Sequence, residues 1–162
     1  MSPSSPIPSL WRNPVLLLAF GFGTGLSPRA PGTVGTALAV LIYLGLAPLH
    51  WALYLGVVLV AAAAGVWICD VSTRRLGVHD HPGIVWDEFV GYWITMFLAP
   101  DGWLWVVVGF VLFRLLDILK PWPVKWADRD VQGGLGIMLD DVLAGVMAAI
   151  ALQCLSLLMP AL

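Results

Sequence analysis

The sequence predicts an all-α fold, a polytopic bundle of membrane helices, and three observations carry the prediction. Of 162 residues, 60% are apolar and 11% charged, against roughly 25% charged in an ordinary soluble domain. Mean hydropathy is +0.91, and a soluble chain of this size leaves too much surface in water to hide that much apolar area. Apolar runs also recur at nearly the length a bilayer asks for, about 20 residues for a core of about 30 Å. Finally, the basic residues all fall at one end of those runs. The length suits one domain spanning residues 1–162, with a flexible start over 1–13. A soluble globular enzyme, a disordered chain and a nucleic-acid binder are excluded, the last also by a net charge of −2.

The elements follow in order. Residues 15–22 are apolar but too short to cross, and read as a short interfacial or re-entrant helix. One basic residue, Arg12, precedes them and no small-residue cleavage site follows, so they do not read as a signal peptide. Four segments approach spanning length: 34–49, 51–68, 103–119 and 137–159. A fifth, 85–99, is shorter and carries Asp87 and Glu88 in its first turn. Together these make about five transmembrane helices. Residues 120–136 read as a cytoplasmic loop.

The charges orient the bundle. The turn at Ala47–His50, the turn at Ala99–Gly102 and the carboxy-terminal end contain no Lys or Arg. Arg12, Arg29, Arg74, Arg75, Arg114, Lys120, Lys125 and Arg129 all lie on the other side, which the positive-inside rule makes cytoplasmic. Trp51, Trp103 and Trp105 then mark the outer interface, and Trp11, Trp86, Trp122 and Trp126 the inner one. Nine of the ten acids, all but Asp101, fall on the cytoplasmic side as well. Topology does not require this, because acids hardly affect insertion; chemistry at that surface does.

Four constellations concentrate that chemistry. Trp86-Asp87-Glu88-Phe89-Val90-Gly91 and Leu139-Asp140-Asp141-Val142-Leu143-Ala144-Gly145 resemble each other. A helix dipole accounts for one acid at a helix start. Paired acids at the edge of hydrocarbon are costly and mark function. Four carboxylates from two helix ends form a hard oxygen site suited to Mg²⁺ or Mn²⁺ rather than Zn²⁺, and Gly91 and Gly145 allow close helix approach. Arg114, Asp117 and Lys120, spaced i, i+3, i+6, share one helix face. They read either as a salt-bridge ladder ended by Pro121 or as a metal-binding acid between two cations for a phosphate. In the Gly/Pro-rich segment 23–36, Thr33 is a natural N-cap that, with Gly32 and Gly35, leaves N–H groups free for an anion; a plain capped turn explains it equally well.

Three further patterns are set aside. Cys69 to Arg75 spells the C-x₅-R of cysteine phosphatases, but it contains Asp70, has no glycine and ends an apolar helix. Asp128-Arg129-Asp130 follows no buried strand and reads as a loop. His79-Asp80-His81 reads as a solvated turn. Cys69 and Cys154 lie in apolar runs and imply no disulfide.

The blocks Gly25-Leu26-Ser27-Pro28-Arg29-Ala30-Pro31-Gly32-Thr33-Val34-Gly35-Thr36, Val85-Trp86-Asp87-Glu88-Phe89-Val90-Gly91, Phe113 to Pro123, and Gly133 to Gly145 stand in this order. They resemble the phosphatidylglycerophosphatase A family of bacteria from about Phe20 to about Ala149. The resemblance implies Mg²⁺-dependent hydrolysis of phosphatidylglycerophosphate to phosphatidylglycerol and phosphate, in phospholipid biosynthesis at the bacterial inner membrane. Asp87, Glu88, Asp117, Asp140 and Asp141 are then expected to share Mg²⁺ and activate water. Arg114 and Lys120 neutralise the phosphate, and Thr33 and Arg29 hold the phosphate or glycerol. The partners implied are the membrane and its lipid substrate. The alternative from another class is a small cation transporter or channel component with an acidic cytoplasmic mouth, although its ionisable groups should lie nearer mid-membrane. A CDP-alcohol phosphotransferase is disfavoured because its Asp-rich pattern is absent.

Overall fold

The computed structural model describes residues 10–78 and 81–159. Among them are seven α-helices and no strand: α1 (Pro14–Ala19), α2 (Pro31–Leu46), α3 (Trp51–Leu76), α4 (Trp86–Thr95), α5 (Trp103–Leu119), α6 (Val124–Asp130) and α7 (Gly133–Leu158). Short 3₁₀ turns cover Leu10–Arg12 and Gly21–Leu26. The all-α expectation is met.

The lengths qualify the expectation of five spans. Helices α3 and α7, 26 residues each, are long and apolar enough to cross a membrane. At 1.5 Å per residue, α2 (16 residues) and α5 (17 residues) reach about 24–26 Å. Helix α4 has ten residues and reaches about 15 Å. It gives way at Met96 to a turn in which Leu98 adopts a left-handed φ of 56°. Residues 120–136, expected as a loop, contain α6, whose Val124 and Ala127 are buried. Residues 15–22 divide into α1 and the 3₁₀ turn, broken by Phe22 at φ 56° and Gly23 at φ 102°.

Helix α7 is the axis, packed by α3, α4, α5 and α6. Its glycines set the approach: a methyl at Gly145 would overlap the Gly91 carbonyl of α4, and one at Gly134 would overlap the Val66 carbonyl of α3. Helix α4 is the buried centre, with Phe89, Val90, Tyr92 and Trp93 all inside. Its aromatic neighbours are tied by hydrogen bonds to carbonyls. Tyr54 Oη donates to Trp93 O (2.7 Å), Trp93 Nε1 to Ala39 O (3.0 Å) and Trp86 Nε1 to Ala61 O (3.1 Å). Trp86 therefore packs into the bundle, and Trp105 is 4% exposed. Both were expected at an interface. Their size and single N–H suit them to fill space between helices once a carbonyl accepts the proton.

The surface inverts the soluble pattern. Leu41, Leu53, Val60, Val107, Ile118 and Ile150 are exposed around the bundle, while Thr36, Ser72, Thr95, Asp140 and Asp141 are buried. The two ends differ. At one, Ala47, Leu49 and Trp51 meet Met96 to Ala99 and Asp101, and Gln153 Nε2 of α7 donates to Leu98 O (2.6 Å). The turns without basic residues and the end of α7 thus gather together. The starts of α2, α4 and α7 and the ends of α5 and α6 lie at the opposite end.

Candidate active site

At that opposite end lies a cavity of about 370 Å³. Its polar lining is Asp87 and Glu88 from α4, Arg114 and Asp117 from α5, Lys120 at the cap of α5, Asp128 from α6, and Asp140 and Asp141 from α7. The five acids expected from the sequence are brought together, with both expected cations between them.

Their pairing divides them into two groups. Arg114 Nη1 lies 2.6 Å from Asp117 Oδ2 and 3.5 Å from Glu88 Oε1. Lys120 Nζ lies 2.9 Å from Asp140 Oδ2 and contacts Asp128. Asp117 and Asp140 are thus bound to cations. Asp87, Glu88 and Asp141 each offer an oxygen within 4.8 Å of the other two. Asp87 Oδ1, Glu88 Oε2 and Asp141 Oδ2 are buried and accept no hydrogen bond. Buried carboxylates in mutual contact repel unless something positive lies between them. A set of hard oxygen donors fits a divalent cation of the Mg²⁺ kind.

The backbone is shaped around the cavity. Ala30 (φ 47°) caps α2 and Lys120 (φ 44°) caps α5, two non-glycine residues in the left-handed region. Such strain gathers at functional sites, where surrounding structure enforces it. Thr33, expected as the N-cap, is instead the third residue of α2: Pro31 occupies the first helical position, which its fixed φ suits, and Ala30 caps without a side-chain bond. The first-turn N–H groups of α2 are therefore left without a side-chain cap, with Ala30, Pro31 and Gly32 lining the cavity. A methyl at Gly32 would overlap the Glu88 carboxylate, so any larger residue there would displace that side chain. Thr33 is half-buried just beyond the lining, and Arg29 is exposed outside it.

Asp128 was missed. The sequence marks it only as part of a charged loop, and its contact with Lys120 depends on the chain reversing between α5 and α6. Burial lowers the affinity of the Lys120 ammonium for its proton, but hydrogen bonds and charge from Asp128 and Asp140 outweigh this and raise its pKa above the ordinary lysine range. It remains a cation.

The patterns set aside fall elsewhere. Cys69 is buried, and Cys69 to Arg75 lies within the unbroken helix α3, with Arg74 paired to Asp70 at 2.7 Å. No phosphate-cradling loop exists there. His81 accepts a bond from Gly83 N–H (3.0 Å) in a local turn; His79 and Asp80 lie outside the described residues.

A model of the phosphatidylglycerophosphatase A family matches residues 17–156, which include every residue of the cavity. The chain belongs to that family. Its relatives include the phosphatidylglycerophosphatase A of Escherichia coli, 51% identical over 85% of this chain and 80% of that one. The Haemophilus influenzae protein of the same name is 44% identical over 85% and 86%. A Bacteroides thetaiotaomicron protein, 41% identical over 83% and 89%, is named provisionally as a phosphatidylinositol-3-phosphatase. No solved structure matches the chain. The family match spans all four sequence blocks, and within it the cavity unites all four, through Gly32, Asp87, Arg114 and Asp141, with Lys120 closing the rim.

Proposed function

We propose that this protein hydrolyses the phosphomonoester of phosphatidylglycerophosphate, giving phosphatidylglycerol and inorganic phosphate, with Mg²⁺ as cofactor. The observation that carries this is the charge of the cavity. Six carboxylates against two cations leave a formal −4 in a space of about 370 Å³. A phosphate cannot enter such a site alone; it enters with a divalent cation that the unpartnered carboxylates hold. The family relatives named phosphatidylglycerophosphatase A supply the substrate.

Asp87, Glu88 and Asp141 would hold the ion, which when bound offsets the charge of the phosphate and polarises its oxygens. Arg114 and Lys120 hold the phosphate oxygens, kept in place by Asp117 and Asp140. Free N–H groups at the start of α2 add donors for the same phosphate. Water attacks phosphorus as the bond to the glycerol oxygen breaks. The water's proton passes to Asp140 Oδ1, which is buried without a partner, and then to the departing glycerol oxygen.

The protein sits in the bacterial inner membrane with this cavity at the cytoplasmic face. Support comes from the exposed apolar girdle, from two helices of spanning length, and from basic residues gathered at the cavity end. Helices α2, α4 and α5, shorter than the bilayer core, complete the five-helix crossing because irregular turns extend them and they pack on one another, with α4 and α5 against α7. A cation carrier is less well supported, since among the described residues the acids gather at one end and only Asp101 lies at the other. The test is purified protein in detergent with phosphatidylglycerophosphate. Phosphate release that requires Mg²⁺ and stops with chelator is expected; no release in Mg²⁺ would overturn the reading.

A further inference from the structure

The helix faces that carry the phosphate-binding groups continue as apolar stripes. On α5, Trp103, Val107, Phe110, Arg114 and Asp117 are spaced i, i+4, i+7, i+11, i+14, and so lie along one face. On α2, Thr33, Ala37 and Val40 are spaced i, i+4, i+7, beginning one residue after Gly32 in the cavity. Ala37, Val40, Trp103, Val106, Val107 and Phe110 line an apolar groove of about 240 Å³ between the two helices. The charged cavity and this groove are therefore two ends of one seam.

We infer that the α2–α5 seam seats an acyl chain of the substrate lipid, with Thr33 at the junction between head group and tail. This rests on the proposed phosphatase reading and adds to it the path by which the lipid reaches the acids. The dimensions agree. Arg114 to Trp103 is eleven residues, about 16 Å along the helix, or half of a hydrocarbon core of about 30 Å. That is about the length of an acyl chain in one leaflet, so the groove is long enough to seat the chain of a lipid whose phosphate meets Arg114. Two other apolar grooves lie along α3, one with Leu55 and Val58 and one with Val57 and Val60. Both also draw on α4 or α7, but neither is lined by α2 or α5, whose faces carry the phosphate-binding groups of the seam.

The test compares dioleoyl with dihexanoyl phosphatidylglycerophosphate, both dispersed in detergent. Ala37 is exposed at the groove, and Ala37→Phe fills it from the surface. The variant should lower kcat/KM for the dioleoyl substrate at least about tenfold more than for the dihexanoyl one, because several methylenes of the longer chain are then no longer buried. Val107→Trp, at a 56% exposed position, should act in the same direction and serves if the first variant fails to fold. Val60→Trp, on α3, should shift the ratio less than about twofold. Equal losses on both substrates for Ala37→Phe and Val107→Trp, or a larger shift for Val60→Trp, would overturn the seam while leaving the phosphatase reading intact. Wild-type protein inactive on both substrates in Mg²⁺ would remove that reading and the seam with it.

Discussion

Gly145 of α7 faces the carbonyl of Gly91 in α4 with no room for a methyl between them. Just before that contact in each helix stand the acids, Asp87 and Glu88 in α4 and Asp141 in α7. The glycine pair thus fixes the spacing of the three carboxylates. Gly145→Ala should push α4 and α7 apart and cost about 1–3 kcal/mol of stability, as overpacking does. It should also lower turnover by about a hundredfold, since a displacement near 1 Å at reacting groups has that effect. Thermal unfolding and initial rates of purified protein check both; normal activity would show that the spacing tolerates change.

The clustered acids Asp87, Glu88 and Asp141 should reveal themselves by their response to Mg²⁺. Asp87→Asn and Asp141→Asn each keep the volume and remove one charge. With chelator present, both variants should melt above the wild type, because mutual repulsion falls. With Mg²⁺ added, the wild type should rise by mass action on the folded state, whereas the variants should rise much less and lack turnover. Variants that gain as much from Mg²⁺ as the wild type would show that these acids do not hold the ion.

Much of the site could be read from the sequence, because acids in apolar runs are conspicuous: Asp87, Glu88, Asp140 and Asp141 have no reason to sit there except chemistry. The close approach of Gly91 and Gly145 was legible too, since small residues beside paired acids permit it. The division of labour was not. That Asp117 and Asp140 are tied to Arg114 and Lys120, while Asp87 and Asp141 pair with no cation and Glu88 reaches Arg114 at 3.5 Å, depends on how α5 and α7 are rotated against each other. Asp128 was hidden because a polar segment gives no periodic signal, and only the return of α6 onto α7 brings it to Lys120. Length misled for α4. Residues 85–99 are fifteen residues compatible with a span, but the helix ends at Thr95 and the chain turns left-handed at Leu98.

Lys120 should act as a permanent cation rather than as a proton carrier. Its pKa in the folded protein is raised above the ordinary lysine value. Its pairing therefore stabilises the fold fully below about pH 10.4, the ordinary value, and is lost only as pH rises through the higher folded value. Turnover should show no Lys120 titration between about pH 6 and 10. Lys120→Gln should lower kcat by about a hundredfold, by loss of phosphate charge stabilisation, and leave the shape of the pH profile unchanged. A profile whose alkaline limb disappears in the variant would assign Lys120 a proton-transfer role.

Cys69→Ser should keep most activity, within about threefold, since Cys69 is buried in the unbroken helix α3 and lines no part of the cavity. Thiol reagents should inhibit weakly. A loss of more than about a thousandfold, the scale of removing a catalytic nucleophile, would return the C-x₅-R pattern to consideration.

The orientation in the membrane can be tested independently of activity. His50 begins α3 at the end where the turns carry no basic residue. Arg129 lies on α6, 76% exposed at its side chain and paired with Asp130 at 3.0 Å, at the end that holds the cavity. In a background lacking Cys69 and Cys154, a cysteine replacing His50 should react with a membrane-impermeant thiol reagent applied to intact cells. One replacing Arg129 should react only after the membrane is opened. Both positions are exposed and polar, so neither replacement removes core packing, and both proteins should insert normally. Labelling of the Arg129 position from outside would place the carboxylates on the external face. It would overturn the cytoplasmic assignment while leaving the cavity and its chemistry as they stand, because their geometry depends on the ends of the helices and not on which side of the bilayer those ends face.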